Sequence, residues 1–330
     1  MSVRRRDWEI AESRVTPESI FLNRRALILA GGLLAAGALV GVARSRGAGS
    51  GAASFPAASP VVDPSRALYP AARNPRYGAA RAVTPEEINT TNNSFYEFGR
   101  SRNIAREAEA LAIRPWPVRI DGLVDKELTL GIDDLLRRVT LEERVYRHRA
   151  VEGWSMVVPW TGFPLKALVE MAKPLGSAKY LRLESFDDPA MASGQRQVWY
   201  PWPYVEGLTV AEATHDLALV VTGAYGKPVA KSMGAPIRVH LPWKYGFKSA
   251  KSLVRFSFVE DRPVTFRQAL NPHEYGFWAN VNPEVPHPRW SQATERDIGT
   301  GEILPTRLFN GYADTVAGLY GGLAGEALYM

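Results

Sequence analysis

Apolar and polar positions alternate in short runs along the chain, the mark of half-buried strands. Trp116-Pro117-Val118-Arg119-Ile120 alternates and then meets Asp121-Gly122, a turn pair. Leu128-Thr129-Leu130 reads as a strand and Gly131 to Leu136 after it as a short helix. Val139 to His148 has strand character around Arg144-Val145-Tyr146, and Tyr180 to Glu184 alternates again. Leu217 to Thr222, Ile237 to Leu241 and Leu253 to Phe258 read as further strands. Phe163 to Ala172 is a predicted helix with Pro164 near its start, where proline is tolerated. Thr84-Pro85-Glu86-Glu87 is a helix start, with Thr84 the expected N-cap. Short strands mixed with short helices, with no internal repeat, predict a mixed α/β (α+β) fold in a single domain.

That domain is expected over 80–330. Residues 44–79 are Gly, Ala, Ser, Pro and Arg without a period, which reads as a flexible linker. Ahead of it, Arg24 and Arg25 open an uncharged Ala-, Leu- and Gly-rich run that lasts to Ala43. A charged pair before a weakly hydrophobic stretch is an export pattern, and adjacent arginines point to the twin-arginine route. Residues 1–43 are therefore expected to be a twin-arginine export signal, placing the protein in the periplasm or otherwise outside the cytoplasmic membrane. Gly41-Val42-Ala43 offers small residues for cleavage. An uncleaved N-terminal anchor is the alternative, because the run is about 18 residues, the lower edge of a bilayer span.

Composition narrows the chemistry. The 330 residues are 46% hydrophobic and 22% charged, an ordinary globular balance. The charge of +6 is spread along the chain, and the one basic run, Arg4-Arg5-Arg6, lies in the leader, so no nucleic-acid partner is expected. There is no cysteine, which removes disulfides, Cys-held clusters and Cys nucleophiles. The five histidines (His148, His215, His240, His273 and His287) form no HxH or HxxxH pair, which argues against a His-built metal site. Trp154, Trp160, Trp199, Trp202, Trp243, Trp278 and Trp290 fall in loop-like stretches rich in Pro and Gly; taken singly, each reads as packing within an ordered surface loop.

Several segments, in this order, resemble one known family. They are Asn93 to Gly99, Glu142 to Arg147, Val151 to Leu165, Gly234 to Arg238, Pro242 to Lys248, His287 to Arg296 and Leu308 to Tyr312. Together they are similar to the catalytic subunits of periplasmic protein-methionine-sulfoxide reductases, within the sulfite-oxidase-like molybdopterin oxidoreductases. The resemblance implies a sulfite-oxidase-like fold binding molybdenum–molybdopterin. It also implies a haem-containing membrane subunit as electron donor, oxidised envelope proteins as substrates, and a monomer apart from the membrane partner.

The same resemblance assigns pterin contacts to Asn93, Tyr96, Glu97, Ser185 (a Thr in the family) and Arg238, and the cofactor tail to Lys248, Ser249, Ala250 and Lys251. At two positions the chain departs from the family. Met233 stands where the family has Asn, a thioether in place of an amide. Ala150 stands where the family has the Cys whose thiolate binds the metal, and a methyl group cannot ligate. His148 shares a strand face with Ala150 and is one substitute; water or hydroxide is another. Ser155 reads as structural. Three readings follow: an exported sulfoxide reductase; a catalytically impaired relative acting as a cofactor- or protein-binding module; or a family enzyme whose Cys was removed by variation or design.

Overall fold

A computed structural model describes residues 63–330; the predicted export signal and residues 44–62 of the predicted linker lie outside the described residues. In chain order the strands begin with β1 (Pro117–Gly122), β2 (Leu128–Gly131), β3 (Glu142–Ala150), β4 (Trp154–Pro164), β5 (Tyr180–Ser185) and β6 (Val205–Thr209). They continue with β7 (Leu219–Ala224), β8 (Lys227–Pro228), β9 (Arg238–His240), β10 (Leu253–Val259), β11 (Thr294–Asp297) and β12 (Ile303–Pro305). Short α-helices connect them: α1 (Glu86–Thr91), α2 (Ala105–Ala108), α3 (Ile132–Leu136), α4 (Leu165–Ala172), α5 (Val210–Ala213), α6 (Phe266–Leu270) and α7 (Ala313–Val316).

One sheet runs β2-β1-β10-β5-β6; the other runs β12-β11-β4-β7-β8, with β3 also on β4 and β9 on β7. Both are mixed, because β1 lies parallel to β10 and β11 parallel to β4 while their other pairings are antiparallel. This is the mixed α/β architecture expected from the alternating runs.

The β3–β4 hairpin positions the site. Its register runs from Glu142↔Gly162 to Ala150↔Trp154 without a slip. Because side chains alternate across a pleat, Tyr146, His148 and Ala150 share a face with Trp154, Met156, Val158 and Trp160. The opposite face is equally occupied. Arg149 donates to Glu295 at 3.0 Å, and Ser155 accepts from Arg81 at 3.0 Å. All of β4 except Pro164 is buried. A strand covered on both faces shows no alternation, and Pro159 and Gly162 give it the composition of a loop. Trp154 and Trp160 thus belong to a buried strand; Trp243 and Trp278 are buried as well, and Trp199 is the one large exposed indole among those described.

Two local expectations change. The α1 N-cap is Pro85, not Thr84, whose hydroxyl instead accepts from the Val157 amide at 3.0 Å and ties the helix entry to β4. Residues 63–79, read as part of the linker, pack on the domain. Tyr69 donates to the Thr222 carbonyl at 2.9 Å, Arg73 pairs with Glu143 at 2.7 Å, and Asn74 donates to Glu142 at 2.7 Å. Their hydrogen bonds are made to β3 and β7, partners that composition alone does not reveal.

Candidate cofactor cleft

The cleft above the β3–β4 face has a volume of about 750 Å³, counting solvent at its mouth. One wall is the alternating set His148, Ala150, Trp154, Met156 and Trp160. A second is the segment after α1, with Asn93, Tyr96 and Glu97. The third is Arg238 of β9, the turn holding Ser249, Ala250 and Lys251, and Arg267 of α6. Eight of the residues assigned by resemblance therefore meet in one place: Asn93, Tyr96, Glu97, Ala150, Arg238, Ser249, Ala250 and Lys251.

Three lie behind the lining. Ser185 is buried at the end of β5, where its hydroxyl donates to the Phe186 carbonyl at 3.3 Å and opposes the upward push of burial on the Glu97 carboxyl. Met233 is buried, and its carbonyl accepts from Arg238 at 2.7 Å. Lys248 points away from the cleft, pairing with the buried Glu206 at 2.6 Å and donating to the Gly207 carbonyl at 2.8 Å. In this short turn Lys248 and Lys251 diverge, and Lys251 alone reaches the cleft.

Arg267 was not anticipated. Thr265 caps α6 through Gln268, a start signal visible in the sequence, and the helix carries Arg267 into the cleft, 4.3 Å from the Tyr96 ring centre. Burial works against its charge, but Tyr204, Tyr96 and Tyr275 together hold its pKa above the usual value.

The electrostatics of the floor favour an anion. Arg238 is held by the carbonyls of Met233, Ser249 (3.1 Å) and Val239 (3.3 Å), with no carboxylate beside it, and burial pulls its pKa down to about 9. Lys251 donates to the Ser94 carbonyl at 2.8 Å; burial, then Arg238, push it well below the usual range, against the pull of Glu97. Glu97 is pushed up to about 7 by burial, opposed by Ser185, Lys251 and Arg267. Three basic side chains thus line the cleft with two carboxyls, Glu152 and the Glu97 that burial pushes up, an arrangement still short of negative charge. The Trp160 indole N–H also lacks any acceptor among the described residues. A cofactor with an anionic tail and a polar ring edge fits this floor.

The metal end fits differently. Ala150 presents a methyl group, and among the described residues no cluster of three His, Asp, Glu or Cys side chains is placed to hold a metal. His148 lines the cleft beside it, kept neutral by burial and then by His240, Arg238 and Lys251. Its ring stacks on His240, centroids 5.4 Å apart.

Residues 106–266 match the family model of the oxidoreductase molybdopterin-binding domain, a span that holds Ala150, Ser185, Met233, Arg238 and the Lys248–Lys251 turn. The class is therefore that of molybdopterin-binding oxidoreductases with the sulfite-oxidase-like fold. The protein-methionine-sulfoxide reductase catalytic subunit MsrP of Burkholderia mallei is 45% identical over 320 residues, covering 96% of this chain and 94% of that protein. The MsrP of Ralstonia nicotianae is 45% identical over 327 residues, covering 96% and 95%. Among solved structures, the sulfane dehydrogenase SoxCD from Paracoccus pantotrophus aligns at a TM-score of 0.43 and 18% identity, over 59% of this chain and 49% of that one. The chain belongs to the family of protein-methionine-sulfoxide reductase catalytic subunits.

Proposed function

We propose that this protein is an exported, molybdopterin-dependent reductase of methionine sulfoxide in proteins of the cell envelope, with Ala150 at the position of the metal ligand. The observation that carries this reading is the convergence of Arg238, Lys251 and Arg267 on one buried floor beside Ala150, in a chain 45% identical to MsrP relatives over nearly its whole length. Arg238 and Lys251 would hold the anionic tail, and Asn93, Tyr96 and Glu97 the pterin edge. Glu97, with its pKa near 7, holds or releases a proton at its carboxyl within the working range. When bound, the cofactor supplies a two-electron redox centre. The net reaction takes two electrons and two protons and releases the sulfide and water. The electrons are assigned to a haem-containing membrane subunit, and export to the twin-arginine leader.

A second reading, a cofactor-binding relative with impaired turnover, is favoured by Ala150 and by the buried thioether of Met233. One experiment separates them. The parent and Ala150→Cys are purified and assayed for pterin, molybdenum and reduction of a simple sulfoxide with an artificial donor. Pterin in both, with turnover raised at least about tenfold in the Cys variant, is the expected result, because thiolate donation tunes such a centre. Pterin in both without turnover in either selects the second reading. Absence of pterin from both refutes the cofactor assignment.

A further inference from the structure

A second cavity of about 580 Å³, counting solvent at its mouth, adjoins the cofactor cleft, sharing Val151 and Phe247 with it. Val151 directly follows Ala150, so this cavity opens next to the reacting end of the cleft. Three of its lining residues, Val151, Tyr245 and Phe247, belong to a small apolar cluster that packs with Tyr275, Ala279, Val281 and Trp290 apart from the main core.

Four polar atoms on the residues lining this cavity make no hydrogen bond: the Tyr245 hydroxyl, Glu274 Oε2, which is ion-paired with Arg289, His287 Nε2 and Gln292 Oε1. Gln292 is 1% exposed, and its amide nitrogen donates to the Val151 carbonyl at 2.7 Å and toward the Trp290 carbonyl at 3.3 Å. Two carbonyl acceptors fix the nitrogen on that side, and Oε1 is left with no donor. His287 accepts the Arg289 amide at Nδ1, 3.2 Å, which places the ring proton on Nε2. Nε2 has no acceptor within bonding distance; Glu274 stands 3.6 Å away and is already paired with Arg289 at 2.6 Å. The ring is fixed between Trp290, stacked at 4.7 Å, and Tyr275 at 5.3 Å.

Setting aside the ion-paired Glu274, the cavity wall therefore offers an acceptor at Gln292 Oε1, a donor at His287 Nε2, the Tyr245 hydroxyl and apolar surface. Glu274 and Arg289 neutralise each other, so neither an anion nor a cation is favoured. A neutral group that both donates and accepts, attached to an apolar side chain, is a peptide unit. We propose that this cavity binds polypeptide flanking a methionine sulfoxide, taking an apolar side chain against Phe247 and Val285 and one backbone amide between Gln292 Oε1 and His287 Nε2. The assignment rests on the reductase reading above and names how its substrate is held.

The test is calorimetric titration of the purified full chain with two peptides, each with one methionine sulfoxide, flanked by Leu in one and by Gly in the other. The Leu-flanked peptide is expected to bind about tenfold more tightly, the scale of one added hydrogen bond with its apolar contact. Val285→Trp fills the cavity and should erase the difference while leaving pterin content unchanged. Gln292→Met should weaken the same preference, giving an independent variant if the first misfolds. Equal affinities in the parent, no binding of either peptide, or a preference that survives in the folded variants overturns the proposal. Pterin is measured in the same samples; its absence counts against the reductase reading, and peptide preference, which needs no turnover, is read separately.

Discussion

Replacing Arg238 by Met should empty the cleft of cofactor while leaving the fold almost as stable as before. The argument is a near-cancellation in the cofactor-free protein. Burial takes this guanidinium from 12.5 to about 9. At about 1.4 kcal/mol per pH unit, keeping it charged costs the free protein on the order of 5 kcal/mol. Met removes that cost. It also removes the donors to the Met233 and Ser249 carbonyls, and each buried acceptor left alone costs about 1–3 kcal/mol. The two effects are similar in size and opposite in sign. Nothing offsets the loss to the cofactor, where a hydrogen bond to a charged group is worth about 1.5–3 kcal/mol, roughly 10- to 150-fold in affinity. Pterin fluorescence after denaturation measures retention, and thermal unfolding of cofactor-free protein measures the fold. A variant that keeps its pterin, or one that unfolds without it, refutes the reasoning.

Two further outcomes follow from the same floor. The Glu97 pKa is raised above its usual 4.5 to about 7, so its contribution to stability is fully present below pH 4.5 and is lost as pH rises through 7; Glu97→Gln should flatten that fall in cofactor-free protein, as read by unfolding at pH 4 to 8. A Cβ at Gly194 would stand 2.1 Å from the Tyr96 carbonyl oxygen and 2.8 Å from that of Glu97, so Gly194→Ala should displace the pterin wall and cut pterin content several-fold, measured beside parent protein; unchanged content would show that the wall yields without cost.

What the sequence revealed, and what it hid, follows from burial. β1, β2, β3, β5, β7, β9 and β10 were legible because each keeps a polar face or a turn signal at its end, within a few residues of the expected bounds. β4 was not, because β3 pairs along one of its edges and β11 and β7 along the other, and all of it but Pro164 is buried, so it has no polar face to display. Its Gly162 is needed there: a Cβ would stand 1.9 Å from the Val220 carbonyl oxygen, at the irregularity where β4 meets β7. In the site, the family resemblance named eight positions that line one cleft, but did not say which of two neighbouring lysines faces inward. Lys248 is drawn to Glu206, a partner on β6 more than forty positions earlier in the chain. Arg267 was hidden for the converse reason: its partners are aromatic rings from three separate segments, and no local pattern announces them.

The wall that presents Ala150 is set by residues other than Ala150. Arg149 donates to the Ala150 carbonyl and is itself held by Glu295 at 3.0 Å and Thr306 at 3.1 Å. The Gly153 amide donates back to the same carbonyl at 3.1 Å, closing the turn with Gly153 at φ +84°, where glycine is unstrained. Trp154 across the hairpin is fixed by its indole bond to Glu152 at 3.0 Å. Each of these contacts uses backbone atoms or neighbouring side chains, so exchanging a thiol for hydrogen on the Cβ of residue 150 changes the donor and leaves the presentation of that Cβ intact. A thiolate placed at position 150 would thus change the chemistry on an unchanged scaffold, and this is why Ala150→Cys is the decisive perturbation: it asks for a ligand without asking the strand to move.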